Sequence, residues 1–210
     1  MSTPLKFKTL PNAITALRII AIPLVLYCIY TGAKQESSLW MTFALVGLIF
    51  GEITDYADGS LARKTGEVSN VGKLIDPMSD SLFRMTVFMC FMQVGWADLW
   101  MLCCIFARDI IVAYLRVFTA LQNVVLAARS SGKIKAVAQA TAQIGIILLG
   151  LVHLQGWDSA YLGVDFASFD QSGTIFLSGI GWWFMTMATA VTVWSGIDYA
   201  KSVIEQVGVE

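Results

Sequence analysis

The sequence has little charge, a single histidine and no C-x2-C motif. Charged residues make up 14% of its 210 residues, whereas soluble domains carry about 25%. His153 ends an apolar run far from the acidic cluster of residues 55–80, and the four cysteines lie inside apolar runs without a C-x2-C pair. These absences argue against a zinc site or a disulfide framework and favour cysteines that are buried as small hydrophobic residues.

Hydrophobic residues, in contrast, are abundant. They make up 57% of the chain, and the mean hydropathy is +0.68, which predicts an integral membrane protein. A spanning helix needs about 20 apolar residues. Six stretches meet this length, at roughly 13–31, 38–62, 73–97, 99–122, 134–154 and 175–199. The predicted fold is therefore all-α, with six transmembrane helices.

A single membrane domain, residues 13–200, is expected between two short segments. Residues 1–12 are amphipathic and carry Lys6 and Lys8, so we expect a short helix at the membrane interface. Residues 201–210 form a cytoplasmic tail in this scheme. No cleavable signal peptide is expected, because the first apolar run is too long and lacks a small-residue cleavage site. No nucleic-acid partner is expected either.

The placement of lysine and arginine predicts the orientation of this domain. With the N-terminus inside, the outer segments hold only Lys34. The inner segments hold nine basic residues, namely Lys6, Lys8, Arg63, Lys64, Lys73, Arg129, Lys133, Lys135 and Lys201. Positive charge accumulates on the cytoplasmic side of membrane proteins. The connection between the second and third spans should therefore face the cytoplasm.

Four carboxylates with fixed spacing flank that connection, in the pattern D-x2-D-G-x2-A-R-x8-G-x3-D-x3-D. Its fixed positions are Asp55, Asp58, Gly59, Ala62, Arg63, Gly72, Asp76 and Asp80. On a helix, residues three or four apart share a face, so Asp55 and Asp58 form one stripe and Asp76 and Asp80 another. Residues 65–71 include glycine, serine and asparagine, which can turn the chain. The two stripes should then face each other on antiparallel helices.

Such a group of carboxylates predicts a site for divalent metal ions. Four carboxylates near a membrane do not all stay ionised without a cation between them. Hard ions such as Mg²⁺ or Mn²⁺ suit a site with oxygen ligands only, and no histidine or cysteine lies nearby in the sequence. The alternative is an acidic, solvated helix pair. The spacing alone does not assign a separate role to each aspartate.

The 55–80 pattern resembles the signature of the CDP-alcohol phosphotransferases, which are integral membrane enzymes that make phospholipids. The resemblance implies that Asp55, Asp58 and Asp76 bind the metal, as a pair of Mg²⁺ or Mn²⁺ ions. It implies that Asp80 is the general base for the acceptor hydroxyl, although Asp80 also remains a candidate metal ligand. It further implies a homodimer.

Four residues of the pattern are candidates for binding the nucleotide: Gly59, Ala62, Arg63 and Gly72. Glycine allows a ligand to approach the backbone closely, which favours this role for Gly59 and Gly72. Arg63 follows Gly59 by about one turn and can pair with a diphosphate oxygen. The alternative for Arg63 is an anchor on the positively charged inner side of the membrane.

Further basic residues fall within or beside the predicted spans, namely Arg18, Arg84, Arg108 and Arg116. A charge at membrane depth costs at least about 2.5–3.5 kcal/mol unless it faces a partner or a polar cavity. Arg108 and Arg116, together with Lys133 and Lys135, are candidates for binding the phosphate of an acceptor. The alternatives are a buried ion pair for Arg108 and snorkelling or structural pairing for Arg84 and Arg116.

Three segments narrow the resemblance to the bacterial phosphatidylglycerophosphate synthases, a branch of the family in the bacterial inner membrane. They are P-N-A-I-T-A-L-R (11–18), R-D-I-I-V-A-Y-L-R (108–116) and S-G-K-I-K-A-V-A-Q (131–139). This branch transfers a phosphatidyl group from CDP-diacylglycerol to sn-glycerol 3-phosphate and releases CMP. The chain departs from the branch pattern at Ser81, Asp109 and Ala136, where lysine, glutamate and threonine are usual.

Other functions remain open at the level of sequence. A cardiolipin synthase of the same fold would use phosphatidylglycerol as its acceptor, and another relative would use an inositol phosphate. A transporter would also place buried charges within six spans. A transporter, however, predicts broken spans and symmetry between the halves of the chain, and the sequence has neither.

Overall fold

The computed structural model describes residues 10–65, 72–122, 130–156, 168–169, 175–176 and 180–207. Side chains are described for residues 15–54, 78–122, 130–156 and 181–206. Within these ranges the fold is a bundle of six helices. They are α1 (Leu10–Lys34), α2 (Ser38–Thr65), α3 (Gly72–Gln93), α4 (Leu99–Leu121), α5 (Ser130–Leu154) and α6 (Ile180–Val207). Each helix overlaps one of the six predicted apolar stretches, so the all-α prediction is confirmed.

A short pair of strands precedes the last helix and was not predicted. Strand β1 (Ser168–Phe169) pairs antiparallel with β2 (Ile175–Phe176), and Ser168 lies opposite Phe176. The last apolar stretch was predicted to begin at residue 175. Because residues 175–176 pair with β1, the helix begins only at Ile180.

The outward surface of the bundle is apolar. Ile20 and Tyr114 are each 73% exposed and Leu121 is 76% exposed, whereas soluble monomers rarely expose large apolar patches. Among the described residues, two helical segments are long and apolar enough to cross a membrane, Thr15–Lys34 and Ser130–Leu154. The composition and these surfaces together describe a membrane protein.

The helices pack as two groups of three. Helix α1 packs against α2 and α3, and α6 packs against α4 and α5, while α2 and α5 join the two groups. Their shared interior is filled by apolar side chains. The largest of the fully buried side chains include Ile29, Met41, Leu48, Phe88, Phe91, Met101, Ile105, Ile146, Ile147 and Met185.

Two glycines allow α2 to approach its neighbours closely. A Cβ atom on Gly47 would lie 2.7 Å from Val25 Cγ2, and one on Gly51 would lie 2.6 Å from Phe83 Cζ. Both distances are too short for an alanine without movement of the neighbour. This G-x3-G pair therefore serves helix packing, and it brings α2 against α1 and α3 just before the carboxylate positions.

Polar residues replace this apolar interior at the end of the bundle where α2 ends and α3 begins. Buried polar side chains there come from four helices, and they include Arg18, Ser79, Arg84, Ser131, Lys135, Gln139, Gln143, Thr192 and Ser195. Buried polar groups need hydrogen-bond partners. The partners of these side chains define the candidate site.

Candidate active site

Both halves of the carboxylate pattern lie on helices, as predicted. Asp55 and Asp58 are within the last three turns of α2, and Asp76 and Asp80 are within the first three turns of α3. Several predicted site residues have side chains outside the described residues, and these are Asp55, Asp58, Gly59, Ala62, Arg63, Gly72 and Asp76. Their roles in metal and nucleotide binding therefore stay predictions.

Asp80 is held by a buried arginine from another helix. Arg18 Nη1, on α1, donates to Asp80 Oδ1. The side chain of Arg18 is 2% exposed, whereas that of Asp80 is 26% exposed. The carboxylate compensates the charge of the buried guanidinium, and the pair fixes one carboxylate oxygen while the rest of the group stays partly accessible.

A second ion pair ties α2 to α3 beside the carboxylates. Arg84 Nη2 lies 3.1 Å from Glu52 Oε2, and Arg84 Nε lies 3.3 Å from Glu52 Oε1. Gln143 Nε2 also donates to the backbone carbonyl of Arg84, at 2.9 Å. Glu52 precedes Asp55 by one turn, and Arg84 follows Asp80 by one turn. This bidentate pair therefore supports the structural alternative for Arg84.

Three helices meet at the carboxylate of Asp109. Its Oδ1 accepts from Lys135 Nζ at 2.5 Å and from Arg108 Nη1 at 3.1 Å. Ser81 Oγ lies 3.4 Å from Oδ2. We name Ser81, Arg108, Asp109 and Lys135 the Asp109 cluster. Because Ser81 follows Asp80 in α3, this cluster adjoins the carboxylate pattern, and its two cations and one anion leave it a net positive charge.

Arg108 has one donor that the described part of the protein does not use. Nη1 binds Asp109, and Nη2 donates to Ser195 Oγ at 2.7 Å. Nε is buried and has no hydrogen-bond partner among the described residues. A buried donor without a partner costs about 1–3 kcal/mol. An anionic ligand is a group that could accept from this atom.

The other two predicted acceptor residues lie apart from the Asp109 cluster. Lys133 is exposed, whereas Lys135 is 8% exposed, because residues two apart on a helix do not share a face. Arg116 lies two turns beyond Arg108 on α4. Its Nε donates to Tyr199 Oη at 3.3 Å, and its guanidinium carbon lies 5.5 Å from the centre of the Tyr199 ring. The structure thus brings together only Arg108 and Lys135 of the four.

Helix α6 contributes polar residues that the sequence reasoning missed. Thr192, Ser195 and Asp198 recur every three residues along the helix, and Tyr199 follows Ser195 by four. We name these residues the α6 stripe. Its contacts with α4 and α5 are Gln139–Thr192 (3.0 Å), Arg108–Ser195 (2.7 Å), Ser131–Asp198 (2.6 Å) and Arg116–Tyr199 (3.3 Å). The helical spacing of these polar residues was the available signal.

Comparison with known proteins identifies the class. The chain matches the CDP-alcohol phosphatidyltransferase family over residues 8–194. It therefore belongs to this family of enzymes, and the family predicted from residues 55–80 is confirmed.

Three named relatives are similar to this chain over most of their own length. A CDP-diacylglycerol–glycerol-3-phosphate 3-phosphatidyltransferase of Rickettsia felis is 29% identical over 93% of this chain and 95% of its own length. The protein of that name in Bacillus subtilis is 32% identical over 68% of this chain and 78% of its own. A probable phosphatidylglycerophosphate synthase of Mycobacterium tuberculosis is 26% identical over 97% of this chain and 85% of its own.

Proposed function

We propose that this enzyme transfers a phosphatidyl group from CDP-diacylglycerol to sn-glycerol 3-phosphate, which yields phosphatidylglycerophosphate and CMP. The names of the relatives, which align over most of their length, support this pair of substrates. The structural observation that carries the proposal is the Asp109 cluster. It places the buried Lys135 and the largely buried Arg108 on Asp109, and Ser81, the residue after Asp80, approaches the same carboxylate. An acceptor with a phosphate group would need cations at such a place.

The carboxylates of α2 and α3 are suited to holding the metal. Members of the family generally use divalent metals, and four aspartates provide only hard oxygen ligands. We assign Asp55, Asp58 and Asp76 to two Mg²⁺ or Mn²⁺ ions, with Asp80 as a further candidate ligand. When bound, such ions would neutralise the diphosphate and the leaving phosphate. On the nucleotide side of the site we place Gly59, Ala62, Arg63 and Gly72.

Asp80 acts as the general base in this proposal. The acceptor hydroxyl loses its proton to the Asp80 carboxylate, and its oxygen bonds to the phosphorus that carries diacylglycerol. The bond from that phosphorus to the bridging oxygen breaks, and CMP leaves with the bonding electrons. The Arg18 contact supports this role because it fixes the carboxylate and leaves it partly accessible, and a base must be positioned within hydrogen-bond reach of its proton.

Arg108 and Lys135 hold the phosphate of the acceptor. The unused Arg108 Nε supports this role, since a phosphate oxygen would supply its missing acceptor. Charge-assisted hydrogen bonds of this kind are roughly twice as strong as neutral ones. Asp109 accepts from both cations and so holds them at the same site. Lys133 and Arg116 lie further from the acceptor phosphate. Lys133 attracts it through solvent, and Arg116 attracts it from its position against Tyr199.

The membrane arrangement follows from charge and helix length. All six helices would span the bilayer, with the carboxylate end on the cytoplasmic side of the bacterial inner membrane. Residues 1–12 would lie at the interface, residues 13–200 would form the membrane domain and residues 201–210 the tail. The basic residues of the inner segments support this orientation. A homodimer is proposed on the family resemblance alone.

Release of CMP from CDP-diacylglycerol by the purified protein in detergent tests the proposal. The acceptors to compare are glycerol 3-phosphate, inositol 1-phosphate, serine and phosphatidylglycerol. We expect glycerol 3-phosphate to support the fastest release by a wide margin. Faster release with phosphatidylglycerol would indicate a cardiolipin synthase, and faster release with inositol 1-phosphate would indicate an inositol-phosphate transferase. No release with any acceptor would contradict transferase activity altogether.

A further inference from the structure

Helix α6 contacts the basic side chains of the site at successive turns. Ser195 accepts from Arg108, and Tyr199, one turn later, accepts from Arg116. Between them, Asp198 accepts from Ser131, which lies in the first turn of α5 and one turn before Lys135. Ser195 is fully buried. A buried serine inside an apolar helix has a specific partner to satisfy, and here that partner is the Arg108 guanidinium.

Gly196 provides the space that this contact needs. A Cβ atom at position 196 would lie 2.8 Å from Arg108 Cγ, so the arginine would have to move to accommodate alanine. The aliphatic part of Arg108 therefore lies directly against the α6 backbone. Ser195 binds the guanidinium of Arg108, while the missing side chain at Gly196 leaves room for the Cβ and Cγ atoms of Arg108. The two neighbouring residues together select one position of the guanidinium.

We propose that Ser195 and Gly196 are positioning residues for Arg108, and that α6 thereby sets the affinity for the phosphorylated acceptor. Asp109 holds Nη1 and Ser195 holds Nη2, so the plane of the guanidinium is fixed and Nε remains for the acceptor phosphate. This inference rests on the proposed function.

The consequence for affinity follows from pre-organisation. Arginine has several rotatable bonds, and ordering a long side chain on binding reduces the affinity gained from its contacts. Ser195 and Gly196 order Arg108 before the acceptor arrives. Loss of either residue should therefore weaken acceptor binding without changing the chemistry at the carboxylates, because neither residue has a hydrogen bond to Asp80, the one carboxylate of the pattern whose side chain is described.

Steady-state kinetics of Ser195→Ala test the inference. We expect the KM for glycerol 3-phosphate to rise about tenfold, which corresponds to losing one hydrogen bond to a charged group. The kcat and the KM for CDP-diacylglycerol should stay nearly unchanged. Gly196→Ala is an independent variant that should show the same pattern, because its new methyl group displaces Arg108.

Two matched controls separate this effect from general damage to α6. Ser202→Ala removes another buried serine hydroxyl of the same helix, which accepts from Gln206 at 3.2 Å. Gly145→Ala adds a Cβ atom 3.0 Å from Phe184 Cε1, at another contact with α6. Neither residue touches the Asp109 cluster, and both variants should keep the wild-type KM for glycerol 3-phosphate.

A double-mutant cycle with Arg108→Ala decides whether Ser195 acts through Arg108. If it does, Ser195→Ala should add almost nothing in the Arg108→Ala background, because coupled residues are not additive. An equal rise of KM in both backgrounds would overturn the inference, as would an unchanged KM in Ser195→Ala alone. Failure of the wild-type protein to use glycerol 3-phosphate would overturn the proposed function and the inference with it.

Discussion

The carboxylate pattern and the Asp109 cluster lie side by side in the fold but are distributed very differently along the chain. The carboxylates come from one stretch, residues 55–80, on two consecutive helices. The Asp109 cluster combines α3, α4 and α5, and its Arg108 binds Ser195, which is 87 residues away. In the proposed function, the donor half of the reaction would therefore depend on a local motif, whereas the acceptor half would depend on how distant helices pack.

This difference suggests how the two halves respond to substitution. A metal site needs each of the carboxylates assigned to it, Asp55, Asp58 and Asp76, so single changes there should remove activity. On the acceptor side, two cations, one anion and a serine contribute together to binding of the acceptor phosphate. Single substitutions there should therefore weaken acceptor binding without abolishing it. Substitutions in the carboxylate pattern should therefore abolish turnover, whereas substitutions in the Asp109 cluster should raise the KM for the acceptor.

The largest effect is expected from the carboxylates of the metal site. Asp55→Asn, Asp58→Asn and Asp76→Asn should each abolish CMP release, because an amide is a poor ligand for a hard divalent ion compared with a carboxylate. Dialysis of the wild-type protein against chelator should have the same effect, and Mg²⁺ or Mn²⁺ should restore the rate. Full activity after exhaustive chelation would contradict the metal assignment.

Asp80→Asn should also remove turnover but should leave binding of CDP-diacylglycerol intact. The amide cannot take the proton of the acceptor hydroxyl, while the other carboxylates still hold the metal. Equilibrium binding of CDP-diacylglycerol, measured beside the rate of CMP release, separates these two effects. A parallel loss of binding and turnover would instead make Asp80 a metal ligand.

Substitutions in the Asp109 cluster should have intermediate effects. Arg108→Ala and Lys135→Ala should raise the KM for glycerol 3-phosphate by about tenfold to a hundredfold, the equivalent of about 1.5–3 kcal/mol per charge-assisted bond. The KM for CDP-diacylglycerol should change little. If that KM rose alone, the two cations would belong to the phosphates of the nucleotide, and the case for a phosphorylated acceptor would lose its main structural support.

Much of the fold, and the placement of the four aspartates on two consecutive helices, could be predicted from the sequence. Long apolar runs determine helices almost by themselves in a membrane, so all six helices coincide with predicted stretches. The exception is the start of α6, where residues 175–176 form a strand instead. That pairing depends on residues 168–169, which apolar periodicity does not reveal.

The acceptor half could be predicted only in part, because helical periodicity does not tell which helix faces which. The positions of Arg108 and Lys135 within or beside spans marked them as functional candidates. In the sequence, Asp109 stands out only as a departure from the branch pattern, although it also binds Lys135 across 26 residues. The role of Arg18 in holding Asp80, over 62 residues, was likewise not visible in the sequence.

The smallest effect is expected at Lys133, which provides a matched comparison with Lys135. Both are lysines in the first two turns of α5, but Lys133 is exposed and Lys135 is buried against Asp109. Lys133→Ala should raise the KM for glycerol 3-phosphate only slightly, because an exposed charge acts through solvent and exposed pairs contribute about 1 kcal/mol or less.

The effect of Lys133→Ala should fall further as salt is raised from low to physiological concentration, since charges separated by more than about 8 Å are then largely screened. The effect of Lys135→Ala should persist at both salt concentrations. Equal, salt-sensitive effects of the two substitutions would mean that the acceptor is attracted by the general positive charge of the inner surface, and not bound at the Asp109 cluster.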